Sequence, residues 1–115
     1  MLKYKNRLIK NKDFALAHQS GAFFSFGSVA IKCRRNNLLE TRIGISVGLK
    51  FSKKAVERNA LKRQLREIFR KKIAEMEKGW DVVVMVRKKG PEKIEFSQLE
   101  PMVEKVLNKS NLLFS

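Results

Sequence analysis

Residues 52–72, SKKAVERNALKRQLREIFRKK, carry nine Lys or Arg against two Glu. At about 100° per residue, Leu61, Leu65, Ile68 and Phe69, with Met76 beyond, fall in one arc of a helix. Asn59, Lys62, Arg63, Arg66 and Arg70 fall in the adjoining arc. Such a helix docks one face on a core and presents the next as a ribbon of cations. Most charged helix faces are merely solvated, and there residues three or four apart usually attract. Here only Glu57 and Glu67 offer partners, so the cations repel one another unless a polyanion lies opposite. The stretch reads as a long amphipathic helix, ended by Lys78-Gly79, that faces nucleic acid.

On its N-terminal side the chain reads as helix and strands. Five cations (Lys3, Lys5, Arg7, Lys10, Lys12) lead in, with Leu8-Ile9 to pin the segment. Asn11 can cap a short helix, Asp13 suits its positive end and Gly21 can close it. Phe14, Ala17 and His18 share a face of that helix. Residues 23–35 read as one strand that opens on Phe23, Phe24 and Phe26. Val29, Ile31 and Cys33 point inward, and Ala30, Lys32 and Arg34 outward. A turn at residues 34–37 leads to a second alternation, with Ile43, Ile45 and Val47 inward and Arg42, Gly44, Ser46 and Gly48 outward. These two strands are expected to form a hairpin.

On the C-terminal side, WDVVVMV at 80–86 is a continuous, β-branched apolar run, the pattern of a strand covered on both faces. Arg87-Lys88-Lys89 and a Gly90-Pro91 turn follow. Ser97 with Glu100 forms a capping box for a last helix carrying Phe96, Leu99, Val103, Val106 and Leu107. The whole is expected to be one α+β domain spanning residues 1–115.

The net charge is +15, from 26 Lys or Arg against 11 Asp or Glu. The surplus lies wholly within residues 1–72, because residues 73–115 hold equal numbers of each sign. A field so polarised suits a polyanion. No apolar run approaches the ~20 residues of a membrane-spanning helix, and the first residues lack the apolar core of a signal peptide, so no membrane partner is expected. Cys33 is the single cysteine, which excludes an intrachain disulfide and points to a reducing, cytoplasmic setting.

No constellation looks catalytic. His18 is the single histidine, without companions for a metal or a nucleophile system. The carboxylates are scattered, and neither GxxxxGK[ST] nor GxGxxG occurs. Neither catalytic nor metal-ligating residues are therefore assigned. What remains is binding chemistry: Arg and Lys for phosphates, Asn59 for a base edge or sugar hydroxyl, and Phe14 with the aromatic strand as a stacking platform for unpaired bases.

The same residues carry a family resemblance. Residues 55–67, AVERNALKRQLRE, closely resemble the arginine-rich "RNR" motif of the bacterial ribonuclease P protein component. RLIKNKDF near the start, RIGISV before the helix and WDVVVMVRKK after it occur in that family's order and spacing. The resemblance spans nearly the whole chain. It implies an αβββαβα sandwich with a central mixed sheet and a left-handed βαβ crossover through the long helix, against the about 98% right-handed rule. It further implies a subunit that pairs with a catalytic RNA, binds precursor tRNA and promotes removal of the tRNA 5′ leader. Hydrolysis then depends on Mg²⁺ held mainly by the RNA, and the protein alone is not catalytic.

Carried over by position, Arg58, Asn59, Lys62, Arg63 and Arg66 face the catalytic RNA, extended by Lys50, Lys53 and Lys54. Phe14, His18, Ala30 and Lys32 line a cleft for the single-stranded leader. Three positions depart from the family pattern. Ala60 stands where a second Arg is usual, His18 where Phe is common, and Lys32 at an often aromatic position where stacking gives way to phosphate contact. Two other classes compete, a non-catalytic ribosomal or RNA-scaffold protein and a DNA-binding module. The second lacks a helix-turn-helix with its small turn residue, so no DNA partner is expected.

Overall fold

A computed structural model describes residues 2–48, 50–87 and 96–113. Helix α1 spans Asn11–Ser20, strand β1 Ala22–Phe26, β2 Val29–Arg35, β3 Arg42–Ser46, helix α2 Ala55–Lys72, β4 Trp80–Val86 and α3 Phe96–Lys109. The αβββαβα order agrees with the expectation. Short 3-10 turns at Tyr4–Asn6 and Ile73–Glu75 accompany the series.

The four strands form one mixed sheet in the order β1-β2-β4-β3. β4 lies inside it, antiparallel to β2 and parallel to β3. This position explains its composition: Val82, Val83 and Val84 are fully buried because both faces of the strand are covered. Successive residues alternate between two cores. Val82 and Val84 join Val29, Ile31, Cys33 and Ile43 beneath α2 and α3, where Leu61, Leu65, Phe69 and Leu99 meet them. Val83 points the other way, into a smaller cluster with Leu8 and Ala17, bordered by Phe14 and Met85. Thus α1 covers one face of the sheet, while α2 and α3 cover the other.

The strand readings need two corrections. Residues 23–35 are not one strand, because Gly27-Ser28 turns the chain and Phe26 pairs with Val29. Gly27 has φ +60, the left-handed value that a two-residue hairpin with glycine first requires. The expected hairpin between the second alternation and its predecessor does not form either, because β4 inserts between β2 and β3. The connection binds the entry to β4 instead of closing on itself. Asn36 N–H donates to the Gly79 carbonyl at 2.9 Å, and Thr41 Oγ1 donates to the Glu77 carbonyl at 2.6 Å. An apolar strand needs neighbours on both edges, and this arrangement supplies them.

The helix ends also shift. α2 stops at Lys72 and passes through the 3-10 turn before Gly79, φ +88, redirects the chain. Lys10 occupies the N-cap of α1, so Asn11 is its first helical residue, and Gly21 closes the helix as expected. Ser97 lies inside α3, not ahead of it. Lys88, Lys89 and the Gly90-Pro91 turn lie outside the described residues.

Candidate nucleic-acid interface

Helix α2 buries Leu61, Leu65, Ile68 and Phe69 and turns its cationic arc outward. Its first turn is held by Ser52, whose Oγ accepts from the Lys54 N–H at 3.1 Å and donates to Glu57 at 3.2 Å. This hydroxyl fixes the loop that carries Lys50, Lys53 and Lys54, all three exposed. Asn59, Arg63 and Arg66 are exposed, Lys62 and Ala60 half-buried.

Three cations of the stretch are engaged within the protein. Arg58 is half-buried and donates from Nη1 to the Ser52 carbonyl at 2.9 Å, so it braces the loop. Arg70 pairs with Glu67 one turn back at 2.6 Å, and this hydrogen bond holds the Glu67 carboxyl below its usual range. Lys72 reaches across to Glu104 of α3 at 3.4 Å. Sequence spacing identifies the cations but not which of them the fold keeps for itself.

On the opposite face, Phe14 lies across the backbone of β3. A Cβ built on the buried Gly44 would stand 2.5 Å from the Phe14 ring, so the ring rests where a side chain is missing. His18, four residues on, is half-buried, and its carbonyl accepts from Lys32 Nζ at 2.8 Å. Lys32 therefore caps the C-terminal end of α1 with one of its N–H groups. Ala30, 3% exposed, is floor beneath α1 and not open wall.

The aromatic cluster divides three ways. Phe24 enters the large core. Phe26 stacks under Lys109 Nζ at 5.6 Å. Phe23 pairs in register with Lys32, shares its face and is 48% exposed. It is an open aromatic that the carried-over cleft residues leave out, and strand parity counted from Lys32 across the Gly27-Ser28 turn could have found it.

A buried ion pair fixes α1 to the sheet. Arg42 donates from Nε and Nη2 to both oxygens of Asp81, at 2.8 and 2.7 Å, and from Nη1 to Asp13 at 3.3 Å. The Asp81 side chain is 1% exposed, and Asn36 Nδ2 also donates to it at 2.9 Å. The hydrogen bonds to Asp81 raise the Arg42 pKa above the ordinary guanidinium value.

The two surfaces meet at the outer edge of β3, where Arg7 bridges Ile43 and the Leu8 N–H donates to the Ile43 carbonyl at 2.9 Å. A groove of about 360 Å³ there is lined by Phe14 and Gly44 on one side and by Arg66 of α2 on the other, with Arg7 beside them. Among the described residues no group of three or more His, Cys, Asp or Glu could hold a metal ion. The charged side chains lining this groove are cations, which would repel one. No helix among the described residues is long and apolar enough to cross a membrane.

Comparison with known proteins agrees with this geometry. A family model described as Ribonuclease P matches residues 2–111. The chain is 39% identical to the ribonuclease P protein component of Thermotoga maritima, over 90% of this chain and 88% of that one. It is 33% identical to the ribonuclease P protein component of a Cyanothece species, over 98% of each. Among solved structures, the Thermotoga maritima RNase P protein in complex with 1-(4-fluorophenyl)-2-thiourea superposes with a TM-score of 0.80 at 36% identity, covering 90% of this chain and 98% of that one. The Staphylococcus aureus RNase P protein gives 0.83 at 25% identity, covering 95% and 98%. The chain belongs to the ribonuclease P protein family, the protein component of the ribonucleoprotein endoribonuclease of tRNA 5′ processing.

Proposed function

We propose that this chain clamps the catalytic RNA with the outer face of α2 and the loop before it, while the cleft between α1 and the sheet holds the single-stranded 5′ leader of precursor tRNA. The observation that carries this reading is the groove at the β3 edge. Phe14 from the cleft and Arg66 from the cationic helix line the same depression, so one strand of RNA can run from one surface to the other without leaving the protein.

Each part has a separate physical task. Lys50, Lys53, Lys54, Lys62, Arg63 and Arg66 replace condensed counterions on RNA phosphates, whose release drives binding. Asn59, at the centre of that face, offers an amide to a base edge or 2′-hydroxyl. Phe14 and Phe23 offer ring faces to unpaired bases, worth ~1–3 kcal/mol per base by alanine substitution. Arg58 and Lys32 act one step back, holding the loop and the end of α1 in place.

The protein supplies electrostatics and positioning, and bond cleavage belongs to the RNA. Mg²⁺ is the ion for that chemistry and is assigned to the RNA, because this chain's residues at the interface do not fit a cation. The test is to add the protein to a ribonuclease P RNA and precursor tRNA at low Mg²⁺. Stimulated cleavage at the mature 5′ end is expected. Tight RNA binding without stimulation would favour a scaffold role instead.

A further inference from the structure

A second groove of about 360 Å³ lies by the C-terminal end of α2, one helical turn beyond Arg66 and sharing Leu2 with the first. Four cations line it, Lys3 and Lys5 from the lead-in, Arg70 from α2 and Lys78 from the turn before β4, against the single carboxylate Glu40. Leu2, Ile73 and Ala74 form an apolar floor. From this arrangement we infer that the groove is a seat for a phosphate ester, with the phosphate on the lysines and the sugar on the apolar floor.

Two observations distinguish it from a set of solvated lysines. First, two of the cations are already held: Lys5 Nζ donates to Glu40 at 3.3 Å, and Arg70 is fixed by Glu67. Their charges are placed before any ligand arrives, so less side-chain freedom is given up on binding. Second, the side chains of Lys3 and Lys78 are exposed and make no hydrogen bond or ion pair with a described residue. Both line the same groove, where the single carboxylate Glu40 offsets only part of the charge of four cations. The hydrogen bond from Lys5, and further off the charge of Lys78, already hold the Glu40 carboxyl below its usual range. The C-terminal dipole of α2 opposes an anion with ~0.5 of a charge, against which stand the four cations of the groove.

The reach of the groove along an RNA follows from the helix length. The 18 residues of α2 span ~27 Å at ~1.5 Å per residue, so the groove would grip a backbone far from the one met by Lys53 and Lys54. RNA as the source rests on the function proposed above; a free nucleotide would use the same chemistry.

The experiment compares protein–RNA affinity across salt concentrations for three double variants. Lys3→Ala with Lys78→Ala is expected to flatten the logarithmic salt slope by ~0.9 for each phosphate left unneutralised. Arg87→Ala with Lys105→Ala removes the same charge outside the groove and is expected to change the slope far less. Ala74→Glu, at an exposed position on the groove floor, should lower affinity on its own. In parallel, adenosine monophosphate is titrated against the free protein at physiological salt while the amide resonances of Ala74 and Lys78 are followed. Saturable shifts with an unchanged RNA slope assign the seat to a free nucleotide. Equal slopes for these two double variants, with no effect of Ala74→Glu and no saturable shifts, overturn the inference. Lys62→Ala with Arg63→Ala separates the two ideas. If that pair also leaves RNA affinity unchanged, the α2 reading falls as well.

Discussion

Gly44 does its work by lacking a side chain. Its position under the Phe14 ring lays the aromatic against β3. Gly44→Ala is expected to push the ring outward, cost ~1–3 kcal/mol as overpacking, and weaken binding of leader-bearing substrate while sparing mature tRNA. Urea unfolding and paired affinity measurements check the two halves. Asp81 is a different case, a buried carboxylate inside an apolar strand. Arg42 meets it with two parallel hydrogen bonds. Removing one partner leaves the other stranded, so Asp81→Ala is expected to lose ~3–5 kcal/mol, measured by denaturant midpoint at constant m-value. Cys33, buried and with its thiol pKa raised by desolvation, is a core residue and not a reactive one.

Among the elements, α2 shows how a helix divides its charge. Arg63 is exposed and has no hydrogen-bond or ion-pair partner among the described residues, whereas Arg58 is engaged by the Ser52 carbonyl. The two should therefore behave differently on substitution. Arg63→Ala is expected to flatten the salt dependence of RNA binding by about one unit of slope with unchanged stability. Arg58→Ala is expected to loosen the loop of Lys50, Lys53 and Lys54, seen as faster amide exchange at residues 52–54 together with weaker binding. Identical effects from both changes would remove this division of labour. The last helix and β1 show the same principle in miniature: Lys109 lies over Phe26, which stays 39% exposed, and Phe23 at 48% is the more open ring of that strand.

For the whole molecule, the two RNA-facing surfaces are separate in sequence and adjacent in space. Phe14→Ala is expected to reduce affinity for leader-bearing precursor at least several-fold, by ~1–3 kcal/mol per unstacked base, and to leave mature tRNA binding unaltered. Competition binding with the two substrates reads this directly; equal losses would remove the leader from the cleft.

The sequence by itself determined the elements whose signal is local. Periodicity marked α2 and α3, alternation marked the inward residues Val29, Ile31 and Ile43, and the unbroken apolar run marked β4 as covered on both faces. It also determined the charge surplus and, through the motif order, the family. Gly27-Ser28 was a legible hairpin signal that the surrounding alternation masked, because β1 and β2 read continuously in period two. Only the tertiary structure decided that β4 separates β2 from β3, which cations remain free, and that Phe14 and Arg66 share one groove. The reason is physical. A strand's neighbours, a guanidinium's partner and a ring's resting place depend on groups dozens of residues away, and local propensity carries no term for them.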